Sequence, residues 1–141
     1  MAALSIGAVA HFLRVLGSVI LSFGLIALGI VCLVNPEFAS IMYGLPVGSA
    51  SGDMRWVLVA GLRDFGLGVA ALALHVFDPG AMRIFAPSLL IIPIGDAILT
   101  LQQGGTQLHA AIHVAGSVAI GILSACTFLD PTLRSARAKQ S

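Results

Sequence analysis

Charge is what this sequence has least of. Lys, Arg, Asp and Glu together make up 9% of its 141 residues, against about 25% in an ordinary soluble domain. Hydrophobic residues make up 58% and mean hydropathy is +1.04, so there is too little polar surface to cover an apolar core in water. A soluble globule is excluded, and an integral membrane protein whose partner is the lipid bilayer is expected. The formal net charge is +1 with no basic run, which argues against nucleic acid as a partner. Cysteine is scarce too. Cys32 and Cys126 both sit inside apolar runs, not in a CxxC or a disulfide framework, so both are expected to be buried free thiols. No nucleotide-binding, flavin or haem motif, internal repeat or second domain is visible.

What is present is a set of long apolar runs. They place helices at about 10–34, 54–77, 81–101 and 107–129, each long enough, at about 1.5 Å per residue, for a hydrocarbon core of about 30 Å. The first run exceeds the apolar stretch of a secretory signal and reads as a retained helix. After it, Asn35-Pro36-Glu37 has the order of an N-cap, a first-turn proline and a first-turn acid, so a short interfacial helix to Tyr43, stopped by Gly44, is expected. Residues 45–52 read as a loop. Pro87 and Pro93 interrupt the third span, and Pro93 is expected to kink it just ahead of Asp96. The expected fold is all-α: one four-helix transmembrane bundle over residues 1–133, with an interfacial segment at 35–53 and a short basic tail at 134–141. Arg14, Arg83, Arg134, Arg137 and Lys139 fall on one side and Arg55 on the other. By the positive-inside rule both termini are cytoplasmic, and the 35–54 segment and the 102–107 loop face the lumen or the outside. Arg14 is expected to snorkel, His11 and His75 to lie at the interface, and Trp56 to sit in the aromatic belt.

The few remaining ionisable residues share a layer. Arg63 and Asp64 lie about 12–13 Å into the second span from the non-cytoplasmic side, and Asp96 and His113 about 9 Å into the third and fourth. His109 is one turn shallower than His113. Charged groups at such depth are expensive, and are usually paired, inward-facing and functional. Asp64 shares a line of small residues with Ala60, Gly68 and Ala71, the mark of close helix contact in membranes. Arg63, about 100° round the helix from Asp64, is expected to reach sideways to Asp96 or up towards the lid. The expectation is a polar pocket holding Arg63, Asp64, Asp96 and His113, overlain by a segment carrying Glu37, Tyr43 and Asp53.

The block Gly61-Leu62-Arg63-Asp64-Phe65-Gly66-Leu67-Gly68, with Asn35-Pro36 and Tyr43-Gly44-Leu45-Pro46 before it, resembles a family of small four-helix membrane proteins of fungi and bacteria catalogued as a domain of unknown function. Asp96 and His113 fit polar positions of that family's later helices. The resemblance implies the fold and little of the activity; for a fungal member the expected membrane is the endoplasmic reticulum.

Three functions fit these residues. In the first, an enzyme isomerises, cyclises or rearranges a lipophilic small molecule, such as a natural-product intermediate, without a cofactor. Asp64 or Asp96 moves the proton, His113 partners it and Arg63 stabilises an oxyanion or enolate, while His109, Tyr43, Trp56, Thr100 and Gln103 contact substrate. In the second, His109 and His113, spaced i, i+4, join Asp96 around iron or zinc in an oxygenase or hydrolase, although the HExxH form is missing. In the third, a non-catalytic carrier or accessory protein keeps the ion pair as architecture.

Overall fold

The computed structural model describes residues 5–44 and 54–133. They form six helices: α1 (Ile6–Val34), α2 (Pro36–Met42), α3 (Met54–Phe77), α4 (Met82–Ser88), α5 (Ile91–Gln102) and α6 (Gln107–Leu129). There is no strand among the described residues. Residues 45–53, which include the expected loop and Asp53, and the 134–141 tail lie outside them.

Local chemistry sets the ends. Ser5 accepts the Ala8 N–H at 3.3 Å and so starts α1 four residues earlier than hydropathy suggests. Asn35 accepts the Phe38 N–H at 3.1 Å, with Pro36 in the first turn of α2, the capping arrangement its sequence implies. Thr106 accepts the His109 N–H at 3.4 Å and opens α6. Gly44 ends the α2 turn with φ +75°, a left-handed conformation natural to glycine.

Four segments are long and apolar enough to cross a membrane: 6–34, 54–77, 82–102 and 107–129. The third is α4 and α5 together. Its break falls at Leu89-Leu90, before Pro93 instead of between Pro93 and Asp96. There the Leu90 N–H bonds to the Pro87 carbonyl at 3.2 Å and the Ile92 N–H to the Leu89 carbonyl at 3.1 Å, both with three-residue spacing. Restarting at Ile91 places Pro93 in the first turn of α5, where no helical N–H partner is needed. Asp96 therefore stands inside α5, after the break.

α1 and α3 pack most closely, at glycines. A Cβ on Gly61 would lie 2.6 Å from that of Cys32, and one on Gly68 would lie 2.7 Å from the Ser22 carbonyl and the Ile26 nitrogen. The other close pairings are α5 with α6, α1 with α6 and α4 with α6. Many large apolar side chains are exposed, Phe12, Phe23, Leu62, Ile84, Leu108 and Val118 among them. A surface of that kind belongs in lipid, and with four spans the chain is a multi-pass membrane protein of all-α bundle architecture. Cys32 and Cys126 are buried and free.

Candidate functional site

Tyr43 is the hub of the site. The turn after α2 points this residue, the only tyrosine of the chain, into the bundle, where it is 7% exposed. Its phenol donates to Asp64 Oδ2 at 2.6 Å. Burial, and then donation to Asp64, push that phenol well above its ordinary pKa, so it stays a donor. Trp56 packs edge-on against the ring with centroids 5.7 Å apart, and His113 stacks on it at 5.9 Å. Trp56 is thus half-buried against the site, not simply a belt residue. The Tyr43 carbonyl faces Thr100 Oγ1, which donates to it at 3.4 Å, and His113 Nε2, also at 3.4 Å. Close approach fixes this turn: a Cβ on Gly44 would lie 2.4 Å from His109, and one on Gly105 would lie 2.8 Å from the Gly44 carbonyl.

Asp64 is buried at 2% exposure on the α1-facing side of α3. Its second oxygen accepts from Arg63 Nε at 2.8 Å. The angular offset between consecutive helical residues does not keep Arg63 from Asp64, because its long side chain folds back to its neighbour. Its Nη2 also extends to within 3.6 Å of Asp96 Oδ2. The guanidinium therefore bridges two helices and two carboxylates. The carboxylates differ: the Asp64 side chain is 3% exposed with both oxygens bonded, whereas Asp96 is 21% exposed.

These groups form the polar end of an otherwise apolar cavity of about 530 Å³, bounded by α1, α3, α5 and α6. Arg63, Asp64, Asp96, His113 and Tyr43 line it together, and Leu21, Leu25, Leu67, Ile120 and Leu123 supply much of the apolar wall. Glycines widen it: Gly24 lines the cavity, and a Cβ there would meet nothing within 4 Å. A second hollow, lined by Tyr43 with residues of α3 and α5, shares Tyr43, Arg63 and Asp96 with the first and continues past Trp56 to Arg55. The polar cluster stands between the two spaces.

Other expected contacts are placed differently. Thr100 lines only the second hollow, and Gln103 and His109 line neither. Gln103 is exposed at the end of α5. His109 turns back to its own N-cap, with Nδ1 2.7 Å from Thr106 Oγ1. Glu37 is exposed and lines neither space. Among the described residues no three His, Cys, Asp or Glu side chains are grouped so as to hold a metal ion; the set His109, His113 and Asp96 is not assembled, because the shared helical face leaves His109 at the capping turn.

A second polar cluster closes the opposite end of the bundle. Arg14 is 4% exposed and donates from Nε to Asp130 Oδ2 at 2.6 Å; it does not snorkel, because a buried carboxylate lies within its reach. His11 Nδ1 lies 3.0 Å from the same oxygen, and Thr132 donates to the other from its hydroxyl at 2.7 Å and its N–H at 2.8 Å. Asp130 caps the end of α6 and is buried there; the signal available in the sequence was an acid directly after the last apolar run and an arginine near the start of the first.

A family model described as a domain of unknown function (DUF4267) matches residues 22–127. No curated protein and no solved structure matches. The match takes in Tyr43, Arg63, Asp64, Asp96 and His113, covers well over half of the chain, and so the chain belongs to the DUF4267 family.

Proposed function

We propose that this protein is an intramembrane enzyme that isomerises, cyclises or rearranges a lipophilic small molecule by proton transfer. The observation that supports this best is the pairing of an apolar cavity of about 530 Å³ with one cluster of titratable groups at its end. Cavities of roughly 300–1,000 Å³ with few convergent polar groups are the usual form of small-molecule sites. In this reading Asp96 is the acid–base group, because it is the carboxylate that faces the cavity with the weaker pairing. Asp64 is a positioning residue: it holds Tyr43 and Arg63, and its own oxygens are occupied. His113 lines the cavity beside them and is the second group able to carry a proton. The distribution of Lys and Arg at the helix ends favours cytoplasmic termini, with the cluster nearer the lumenal or outer face.

The test is native mass spectrometry of the purified protein, followed by incubation of whatever small molecule it retains in D2O with wild type and with Asp96→Asn. Proton-transfer catalysis predicts deuterium incorporation or an isomeric product with wild type, reduced at least about 100-fold in the variant, the usual share of a positioned acid or base. A retained ligand that wild type leaves unlabelled and unchanged would assign the cavity to a carrier.

A further inference from the structure

The charge balance of the cavity restricts what can occupy its polar end. One guanidinium, Arg63, faces two carboxylates, Asp64 and Asp96. Both Asp64 oxygens are bonded, one to Arg63 and one to Tyr43, and Arg63 Nη2 also lies within ion-pair distance of Asp96, at 3.6 Å. Arg55 lines the second hollow but not the main cavity, and it stands eight positions before Arg63, about 12 Å along the helix. Among the described residues, no arginine or lysine lining the main cavity is therefore unclaimed by a carboxylate. An anionic head group entering it would lose its hydration and meet Asp96. A positive head group would find Asp96 as its partner, in surroundings where unlike charges attract more strongly than in water.

We infer that the cavity selects a lipophilic molecule whose polar end is a cation or becomes one on protonation, such as a lipophilic amine, an epoxide or an alkene, and that it discriminates against lipophilic carboxylates. This deepens the proposed function and rests on reading the cavity as a ligand site. It also moves Arg63 from an expected stabiliser of an oxyanion or enolate to a counter-ion for the carboxylates. The corresponding chemical step balances without a further reactant. The O–H bond of a protonated Asp96 breaks, and an N–H, O–H or C–H bond forms on the ligand from the ligand's own electron pair. That leaves a ligand cation beside an Asp96 carboxylate. Return of a proton from a neighbouring ligand atom to Asp96 closes the cycle with the ligand rearranged and nothing oxidised or reduced.

The experiment compares probes of one chain length and different charge: N,N-dimethyldodecylamine as its ammonium, dodecanol and dodecanoate. Each is titrated near neutral pH onto the full chain in nanodiscs of phosphatidylcholine, with empty nanodiscs as the blank. The ammonium is expected to bind wild type at least about tenfold more tightly than dodecanoate, a difference of about 1.4 kcal/mol. Asp96→Asn is expected to remove that preference, Asp96→Glu to keep it, and Gly24→Leu, which fills the cavity, to weaken the binding of all three. Equal or tighter binding of dodecanoate by wild type would overturn the inference, as would a preference unchanged in a folded Asp96→Asn protein. The wild-type ratio decides the question even where a variant fails to assemble. Selective ammonium binding without deuterium transfer would leave a carrier for cations, while deuterium transfer without charge selection would leave the enzyme and remove the charge rule.

Discussion

At the scale of single residues, Tyr43 links the interfacial helix to the charges in the bundle. Its hydroxyl is one of two donors to Asp64, and its carbonyl faces α5 and α6 through Thr100 and His113. Asp64 can lie 3% exposed because both of its oxygens have donors; an ionised carboxylate without them would cost several kcal/mol. Burial and the bond to Asp64 both favour the neutral phenol, so Tyr43 should show no tyrosinate absorbance as the folded protein is taken past about pH 10, the ordinary value. Ionisation should appear only on unfolding. With one tyrosine in the chain, an ultraviolet titration reads this group alone, and an ordinary titration curve in the folded protein would mean the phenol is wet and the hub open. Sequence reasoning brought Arg63, Asp64, Asp96 and His113 to one place because depth in a membrane span can be counted from the span's end. It did not find the role of Tyr43, whose position depends on how the turn at Gly44 docks against His109 and Gly105. That contact is long-range and leaves no periodic trace.

At the scale of helices, the glycines have opposite uses. Gly61 and Gly68 are contact points of α3 with α1, where a new Cβ would come within 2.6 and 2.7 Å, respectively, of the nearest α1 atom. Gly24 faces the cavity and has open space at that position. Gly61→Ala and Gly68→Ala should therefore each destabilise the protein by about 1–3 kcal/mol, the usual cost of overpacking. Gly24→Ala should leave stability within about 0.5 kcal/mol of wild type. Reversible unfolding in mixed micelles measures all three, and equal costs at the three sites would mean that the cavity is not an open space. Of the line expected as a small-residue contact face, Asp64, Gly68 and Ala71 are buried, whereas Ala60 is half-buried and lines the second hollow. Nothing in the sequence of α1 separates Gly24 from Gly29, because the distinction depends on which neighbour each faces. The four spans were legible from hydropathy alone. The position of the break before α5 was not, since a proline announces a lost hydrogen bond without saying on which side of it the helix gives way.

At the scale of the whole molecule, ionic clusters hold the bundle at both ends of an apolar middle. The one around Asp130 ties the start of α1 to the end of α6, across more than a hundred residues of chain. Burial by itself would raise the Asp130 carboxyl. The Thr132 hydroxyl, Arg14, the Thr132 N–H and His11 outweigh burial and hold the carboxyl below the ordinary carboxylate range. A carboxyl depressed on folding contributes stability above its unfolded pKa, near 3.9, and loses it as pH falls towards the folded value. Wild type should therefore be more stable than Asp130→Asn by about 3–5 kcal/mol near neutral pH, the typical cost of leaving a buried charge such as that of Arg14 unpaired. The gap should narrow progressively below about pH 4, because there the unfolded chain takes up a proton that the ion-paired Asp130 of the folded protein does not. Paired unfolding measurements from neutral pH to about pH 2.5 would show it. A gap constant over that range would mean that Asp130 contributes through shape and hydrogen bonds alone. A gap that narrows would establish an ionised clamp between the terminal spans, independent of any ligand in the cavity. Such a clamp would keep the first and last spans joined whatever occupies the cavity bounded by α1, α3, α5 and α6.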